Sequence, residues 1–353
     1  MDNNVKKVRW VHSASTDFWF ILSPPFLVTL IVLALSSIIS DAHVNAWQWL
    51  FLVLFIDVGH VWSTIFRTYL DLDFKKRHAL LFIVVPIICL VSTLLLYQMG
   101  FMVFWRVMAY MAVFHFVRQQ YGFMKMYTPR PVRFRYEQQF DNLVIYAATL
   151  YPILKWHLSD SKAFHWFLKG DFVYFESIFL GDAIDVLYVV IAVCYGLKEI
   201  VLWRPVYWAK NMIVLGTGLS WYVGIVAFDS DLIFTSINVV SHGVPYMALV
   251  YLKAKKRSKQ RNVFSNVLQS IFQVRISIFI FCALLFVLAF FEELLWDALV
   301  WRDHYAFFGW LSGTVSLDQE SWMFIVPILS VPQLTHYVLD GFIWKKNFEV
   351  NPR

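Results

Sequence analysis

The sequence predicts an all-α protein, a polytopic bundle of about ten transmembrane helices with both termini on the cytoplasmic side. Three observations lead there. Of 353 residues, 59% are hydrophobic and only 15% are charged, where a soluble domain carries about 25% charged residues. The apolar residues fall in long continuous runs, and Lys and Arg collect on every second connection between the runs. No extramembrane stretch is long enough for a soluble domain, so residues 1–353 are expected to form a single integral-membrane domain.

A helix crosses hydrocarbon because its backbone bonds are satisfied within the segment, which takes roughly 17 to 25 mainly apolar residues. Ten stretches qualify: 17–40, 46–70, 79–99, 101–125, 137–157, 183–201, 207–227, 231–252, 274–295 and 321–344. The first follows Lys6, Lys7 and Arg9 and has no small-residue cleavage site, so it reads as a span and not as a signal peptide. The inside connections then hold Lys75-Lys76-Arg77, Lys125 to Arg130 with Arg133 and Arg135, Lys198, Arg204 and Lys210, the basic run 253–261, and Lys345-Lys346. The opposite connections are acidic, with Asp160, Asp171, Glu176, Asp182, Glu292, Glu293, Asp297, Asp303 and Asp318. Because positive charge is spread over every inside turn, a pI near 9.1 does not mark a nucleic-acid surface. The expected location is a bacterial cytoplasmic membrane.

Two outside connections, Leu158–Asp182 and Trp296–Glu320, are longer than a turn and rich in Trp, Phe and Tyr. They read as short helices lying in the headgroup layer, with a lid or substrate entrance as the alternative. Cys89, Cys194 and Cys282 each sit in an apolar run and read as packing residues.

Ionisable side chains inside spans are costly unless paired, so they mark function by default. Of ten histidines, His60, His115, His242 and His336 lie inside spans, all on helices that run from outside to inside. They fall 14, 14, 11 and 15 residues from the outer ends of those spans, a spread of about 6 Å at 1.5 Å per residue. Four imidazoles at one level form a candidate metal cage, and this donor set suits iron, copper or zinc better than magnesium or calcium.

Each histidine has polar companions at helical spacing. Asp57, Thr64, Arg67 and Asp71 share a stripe with His60; Arg118 and Gln119 follow His115; Asn238 precedes His242; Gln333 and Asp340 flank His336. Gln119, Asn238, Gln333 and Thr64 are candidates to orient the rings, and Asp57 and Asp340 to orient imidazoles, ligate or move protons. Arg67 and Arg118 either snorkel to the inner headgroups, pair with Asp71 or Asp57, or hold an anionic group on a substrate.

Several chemistries lack their motifs. No two histidines stand in a His-x-x-x-His or His-x-x-His-His arrangement, and there is no covalent haem attachment and no phosphate loop. The segments Phe114-His115-Phe116, His242-Gly243 and His336-Tyr-Val-Leu-Asp340 resemble those of the polytopic β-carotene-cleaving dioxygenases associated with bacterial rhodopsins. The resemblance implies a membrane enzyme with a histidine-held iron; unlike that family, this chain has no two histidines four apart on one helix.

The resulting expectation is an integral-membrane oxidoreductase or oxygenase whose one metal ion, iron or another transition metal, is ligated by His60, His115, His242 and His336. Its partner would be a membrane lipid or other lipophilic small molecule drawn from the bilayer. The alternatives are a proton-coupled transporter using the His/Asp/Arg cluster, and a haem or quinone electron carrier.

Overall fold

The computed structural model describes residues 10–128, 135–201, 207–260, 265–311 and 319–345. Lys6, Lys7, Arg9, Arg130, Arg133, Arg204, Arg261, Asp318 and Lys346 of the charge pattern lie outside the described residues. The described residues contain helices and no strand. The principal helices are α1 (Pro24–Ile39), α2 (Ala46–Phe66), α3 (Ala79–Gln98), α4 (Phe101–Tyr127), α5 (Arg135–Leu158), α6 (Ile178–Val201), α7 (Trp208–Trp221), α8 (Asp231–Arg257), α9 (Ser277–Trp301) and α10 (Glu320–Ile343).

All ten expected stretches are therefore helical, and seven helices are long and apolar enough to cross a membrane: α2, α3, α4, α6, α8, α9 and α10. An eighth span results if α1 is counted with the preceding helix Ala14–Leu22, to which it is bent by 48°. The bend falls at Ser23-Pro24-Pro25, where two prolines start a new helix and cannot continue the old one. The two stretches that fall short are α5 and α7.

The chain divides into two compact units, Met1–His43 with Val113–Pro245, and Val44–Ala112 with Tyr246–Arg353. The first is built from α1, α5, α6 and α7, with the C-terminal part of α4 and the N-terminal part of α8. Val28, Val32, Val223, Ile233 and Ile237 form an apolar core in it. Gly216 on α7 lets α1 come close, since a Cβ there would stand 3.0 Å from the Phe26 ring. Asp17 is buried and accepts from the backbone N–H of Val11 and His12 at 2.6 and 3.0 Å and from the Tyr127 hydroxyl at 3.0 Å.

An ion network ties α5, α6 and α7 together. Lys210 Nζ donates to Asp141 at 3.1 Å and to Glu199 at 2.9 Å, Lys198 pairs with both carboxylates, and Asn211 donates to Glu199 at 2.8 Å. Two cations and two anions neutralise one another, so the desolvation cost of each is offset by direct partners. Lys198 and Lys210, read from sequence as inside-facing topology signals, thus also hold helices together.

In the second unit α9 packs along α2, and α10 packs against α3. Its apolar clusters centre on Phe66, Tyr246, Val250, Phe272, Phe281 and Leu285, and on Trp49, Leu54, Ala289 and Phe308. At one end Arg257 Nη2 donates to the fully buried Asp71 at 2.9 Å, and Arg67 lies 3.8 Å from the same carboxylate. Arg257 belongs to the basic run 253–261, so one member of that run is a structural clamp.

The first long connection departs from the expected short helices. The described segment 159–177 forms no helix; Phe164, Asp171 and Phe172 are buried in it, and Asp171 accepts from the N–H of Phe167 and Leu168 at 2.6 and 3.1 Å. Burial is the first cause that holds the Asp171 carboxyl above its usual range, against the lowering effect of those N–H groups. The described part of the second connection is helical over Asp297–Trp301, which continues α9, and forms a short helix Tyr305–Phe308 with the Gly309–Leu311 turn; residues 312–318 lie outside the described residues.

Replacing Asp141 with Asn leaves Lys210 buried with one carboxylate fewer, which costs about 3 kcal/mol. The expected outcome is a lower unfolding midpoint in detergent denaturation, partly recovered when Lys210→Met is added. An unchanged midpoint for D141N would show that the network does not hold these helices.

Candidate functional site

In the second unit the polypeptide from Leu50 to Val58 is wound as a π-helix before it tightens into the α-helical turn Gly59–Ser63 and a 3₁₀ turn at Thr64–Phe66. Wide turns of this kind shift the register of side chains and recur at functional positions. Here the shift delivers Asp57 and His60 in succession: Asp57 Oδ1 lies 3.4 Å from His60 Nδ1. α10 breaks at Ser330 and restarts with Pro332 in its first turn, and His336 follows one turn later.

His60 and His336 face one another with ring centres 5.0 Å apart and planes at 79°. Thr64 Oγ1 is 2.7 Å from His336 Nδ1 and 3.0 Å from the Tyr246 hydroxyl, so one hydroxyl positions both rings. The contact at Nδ1 fixes the orientation of the His336 ring. Tyr246 stands edge-on to both histidines, at 5.8 and 5.3 Å between centres. His60, Thr64, Tyr246 and His336 are all buried.

In the first unit His115 of α4 and His242 of α8 repeat the arrangement, with ring centres 5.1 Å apart and planes at 78°. Phe116 lies flat against His242 at 3.5 Å and touches Trp166 of the 159–177 segment edge-on at 5.1 Å. Trp166 meets Phe172, which stacks on Trp156 at 3.9 Å. A continuous aromatic stack therefore runs from the long connection to the His242 ring. Gln119 Nε2 donates to the backbone carbonyl of His242 at 2.9 Å, which fixes α8 against α4 at the level of the pair.

The perpendicular pairing has chemical meaning. Two imidazoles bound to one transition-metal ion through bonds of about 2.1 Å, at tetrahedral to octahedral angles, have ring centres roughly 4.5–5.3 Å apart. Both pairs meet that spacing, and all four imidazoles are buried. A separate group in the second unit, Asp297, Asp303 and His304, brings three possible ligand atoms within 4.8 Å of one another. There His304 Nδ1 lies 2.8 Å from Asp303, a contact that holds the Asp303 carboxyl below its usual range, and the His304 ring stacks on Trp49 at 3.5 Å.

Other expected site residues take different partners. Asp340 accepts from Trp344 Nε1 and from the Tyr246 hydroxyl instead of orienting an imidazole directly, because its position one turn beyond His336 places it beside those two rings. Gln333 donates to the Tyr337 hydroxyl at 2.8 Å, and Asn238 to the backbone carbonyl of Phe234 at 3.0 Å. Arg67 is buried, paired with Asp71 and lying over the Phe74 and Trp344 rings at 4.8 and 5.8 Å. Arg118 is exposed, donates to the Tyr146 hydroxyl and covers Tyr121, so it faces away from the His115 ring.

Four residues escaped the sequence reading. Tyr246 carries no charge and was hidden in an apolar run, although its place four residues after His242 was a signal. Phe116 was read only as part of a short motif. Glu292 and Glu293, assigned to an outside turn, lie within α9, where Glu292 accepts from Trp62 Nε1 at 2.5 Å.

Comparison with family models, with curated proteins and with solved structures finds no match to this chain.

Phe116 covers one face of the His242 ring. Its replacement by Ala is expected to raise modification of His242 by diethyl pyrocarbonate several-fold in metal-depleted protein, read by mass spectrometry. The solvent-side His78 serves as the internal reference. Unchanged His242 reactivity would contradict the shielding role.

Proposed function

We propose that the protein is an integral-membrane, metal-dependent oxidoreductase acting on a lipophilic molecule taken from the bilayer. The histidines of the two pairs, His60 with His336 and His115 with His242, are its metal ligands, and iron is the first candidate. The observation that supports this most is the perpendicular spacing of 5.0 and 5.1 Å in two separate buried imidazole pairs. A nitrogen donor set of this kind suits redox-active transition metals, which would supply electron transfer or activation of dioxygen.

The chain's own groups then have assigned tasks. Thr64 holds the His336 ring at Nδ1. Asp57, 3.4 Å from His60 Nδ1, orients that ring and can take or return its proton. Tyr246 and Tyr337 wall the second-unit pair, and the Phe116–Trp166–Phe172 stack keeps water from His242. Water exclusion protects reactive groups from side reactions. The reading takes the ten-helix order as ten spans in a cytoplasmic membrane with both termini inside, in keeping with the alternation of basic and acidic connections.

Metal analysis of the purified protein tests the proposal. A stoichiometric transition metal is expected, lost when all four histidines are replaced by Ala in protein that still elutes as a folded species. Absence of such a metal, or occupancy unaffected by the four replacements, would overturn it. A finer test uses Thr64→Val, which removes the bond to His336 and should weaken metal affinity by roughly 10- to 100-fold. Thr68→Val, whose hydroxyl bonds only the Thr64 carbonyl, should leave affinity unchanged.

A second reading, a proton-coupled transporter, draws support from the carboxylates Glu292 and Glu293 within the span α9 and from Asp57 on α2. Proton or solute movement in proteoliposomes that depends on Asp57 and persists in metal-free protein would favour it over the enzyme.

A further inference from the structure

α9 ends among acids. Its last turn, Asp297–Trp301, is wound as a π-helix, and Arg302 takes the left-handed conformation at φ 59°, which folds the chain back over that turn. The backbone N–H of His304 then donates to Asp297 at 2.8 Å. As a result His304 Nδ1 stands 2.8 Å from Asp303 and 3.5 Å from Asp297, and Trp49, stacked on the ring at 3.5 Å, fixes its plane. Two donors bound to one metal ion at about 2.1 Å are roughly 3.0–3.4 Å apart at octahedral to tetrahedral angles. Both contacts are close to that spacing, before any ion is bound.

A second observation, from the helix itself, points to a cation. Glu293 stands one turn before Asp297 on the same face of α9. Its carboxylate is largely enclosed by protein, and the groups that act on it electrostatically are the carboxyls of Glu292, Asp57, Asp303 and Asp297. Glu292 has indole donors, Trp62 at 2.5 Å and Trp296. Glu293 has no hydrogen-bond donor among the described residues. The C-terminal end of a helix carries partial negative charge and attracts cations. Carboxylates gathered at that end repel one another and the helix, and a divalent ion between them removes most of the repulsion.

We propose that Asp297, Asp303 and His304 bind one divalent first-row transition-metal ion, with Glu293 as a further carboxylate one turn away. Carboxylate oxygens with one imidazole suit zinc, manganese or iron(II), and the imidazole makes calcium and magnesium poorer occupants. The ion fastens residues 302–304 to the end of α9. The inference does not rest on the oxidoreductase reading, since none of the four interior histidines takes part.

The test is titration of the intact protein in detergent, with Mn²⁺ followed by loss of its free-ion EPR signal and Zn²⁺ followed by calorimetry. The expected result is one equivalent of ion that is lost with this cluster. Asp303 is 64% exposed, so its replacement leaves the packing undisturbed. Asp303→Ala and His304→Ala should each weaken that binding by about tenfold or more, and Glu293→Gln should weaken it less. Asp160→Ala, an exposed acid of the other long connection, should change nothing, and neither should the pair His60→Ala with His336→Ala. Binding of both ions that is unaffected by D303A and H304A, or no binding of either, would overturn the proposal and leave only an ion pair between His304 and Asp303. The two readings separate. An equivalent lost with Asp303 in protein without interior metal would keep this site and remove the oxidoreductase. Interior metal with no equivalent lost in D303A would do the reverse.

Discussion

The structure depends on one constraint: a polar group in a hydrocarbon environment must find its partner inside the protein. Every interior feature follows from it. Asp141, Glu199, Lys198 and Lys210 neutralise one another across three helices, Asp71 draws in Arg67 and Arg257, and Asp17 caps the chain start by accepting two backbone N–H groups. The four buried imidazoles obey the same rule. His60 and His336 share an environment with Thr64 and Tyr246, and His115 and His242 lie edge to face under Phe116.

Those two kinds of cluster differ in what they can do. The network of Asp141, Glu199, Lys198 and Lys210 is balanced in charge and filled by hydrogen bonds, and it fixes helices in place. The imidazole pairs are nitrogen groups held at an angle, with a contact at Nδ1 of His336. A structural pair of histidines would be served as well by any edge-to-face contact. The match of both pairs to the spacing of adjacent metal ligands, with a threonine hydrogen-bonded to one ring and an aspartate 3.4 Å from the other in one pair, favours a chemical role.

Most of the helical architecture was legible in the amino-acid order because long apolar runs have few alternatives in hydrocarbon. What escaped has physical reasons. α5 and α7 look like spans in outline but carry Asp141 and Lys210, whose partners lie on other helices, so their apolarity is lowered by a network invisible to a sliding window. Glu292 and Glu293 sit near the outer end of an apolar run and read as turn residues, whereas α9 continues helical to Trp301. Among the site residues, the four histidines and Thr64 were readable from depth and spacing. Of the two arginines, Arg118 is exposed and bonds the Tyr146 hydroxyl, whereas Arg67 is buried and paired with Asp71. Asp340 and Gln333 had the right spacing from His336 but found tyrosine and tryptophan partners supplied by tertiary packing. The fold of residues 159–177 depends on Asp171 and on stacking with Trp156, neither of which leaves a periodic trace.

X-ray absorption spectroscopy of the purified, membrane-extracted protein tests the central claim most directly. The account predicts a transition-metal edge with a first shell of nitrogen scatterers near 2.1 Å and the outer-shell pattern of several imidazole rings, diminished when His60 and His336 are replaced together. A protein with no such edge, or a metal whose shell shows no imidazole and does not respond to those replacements, would contradict it.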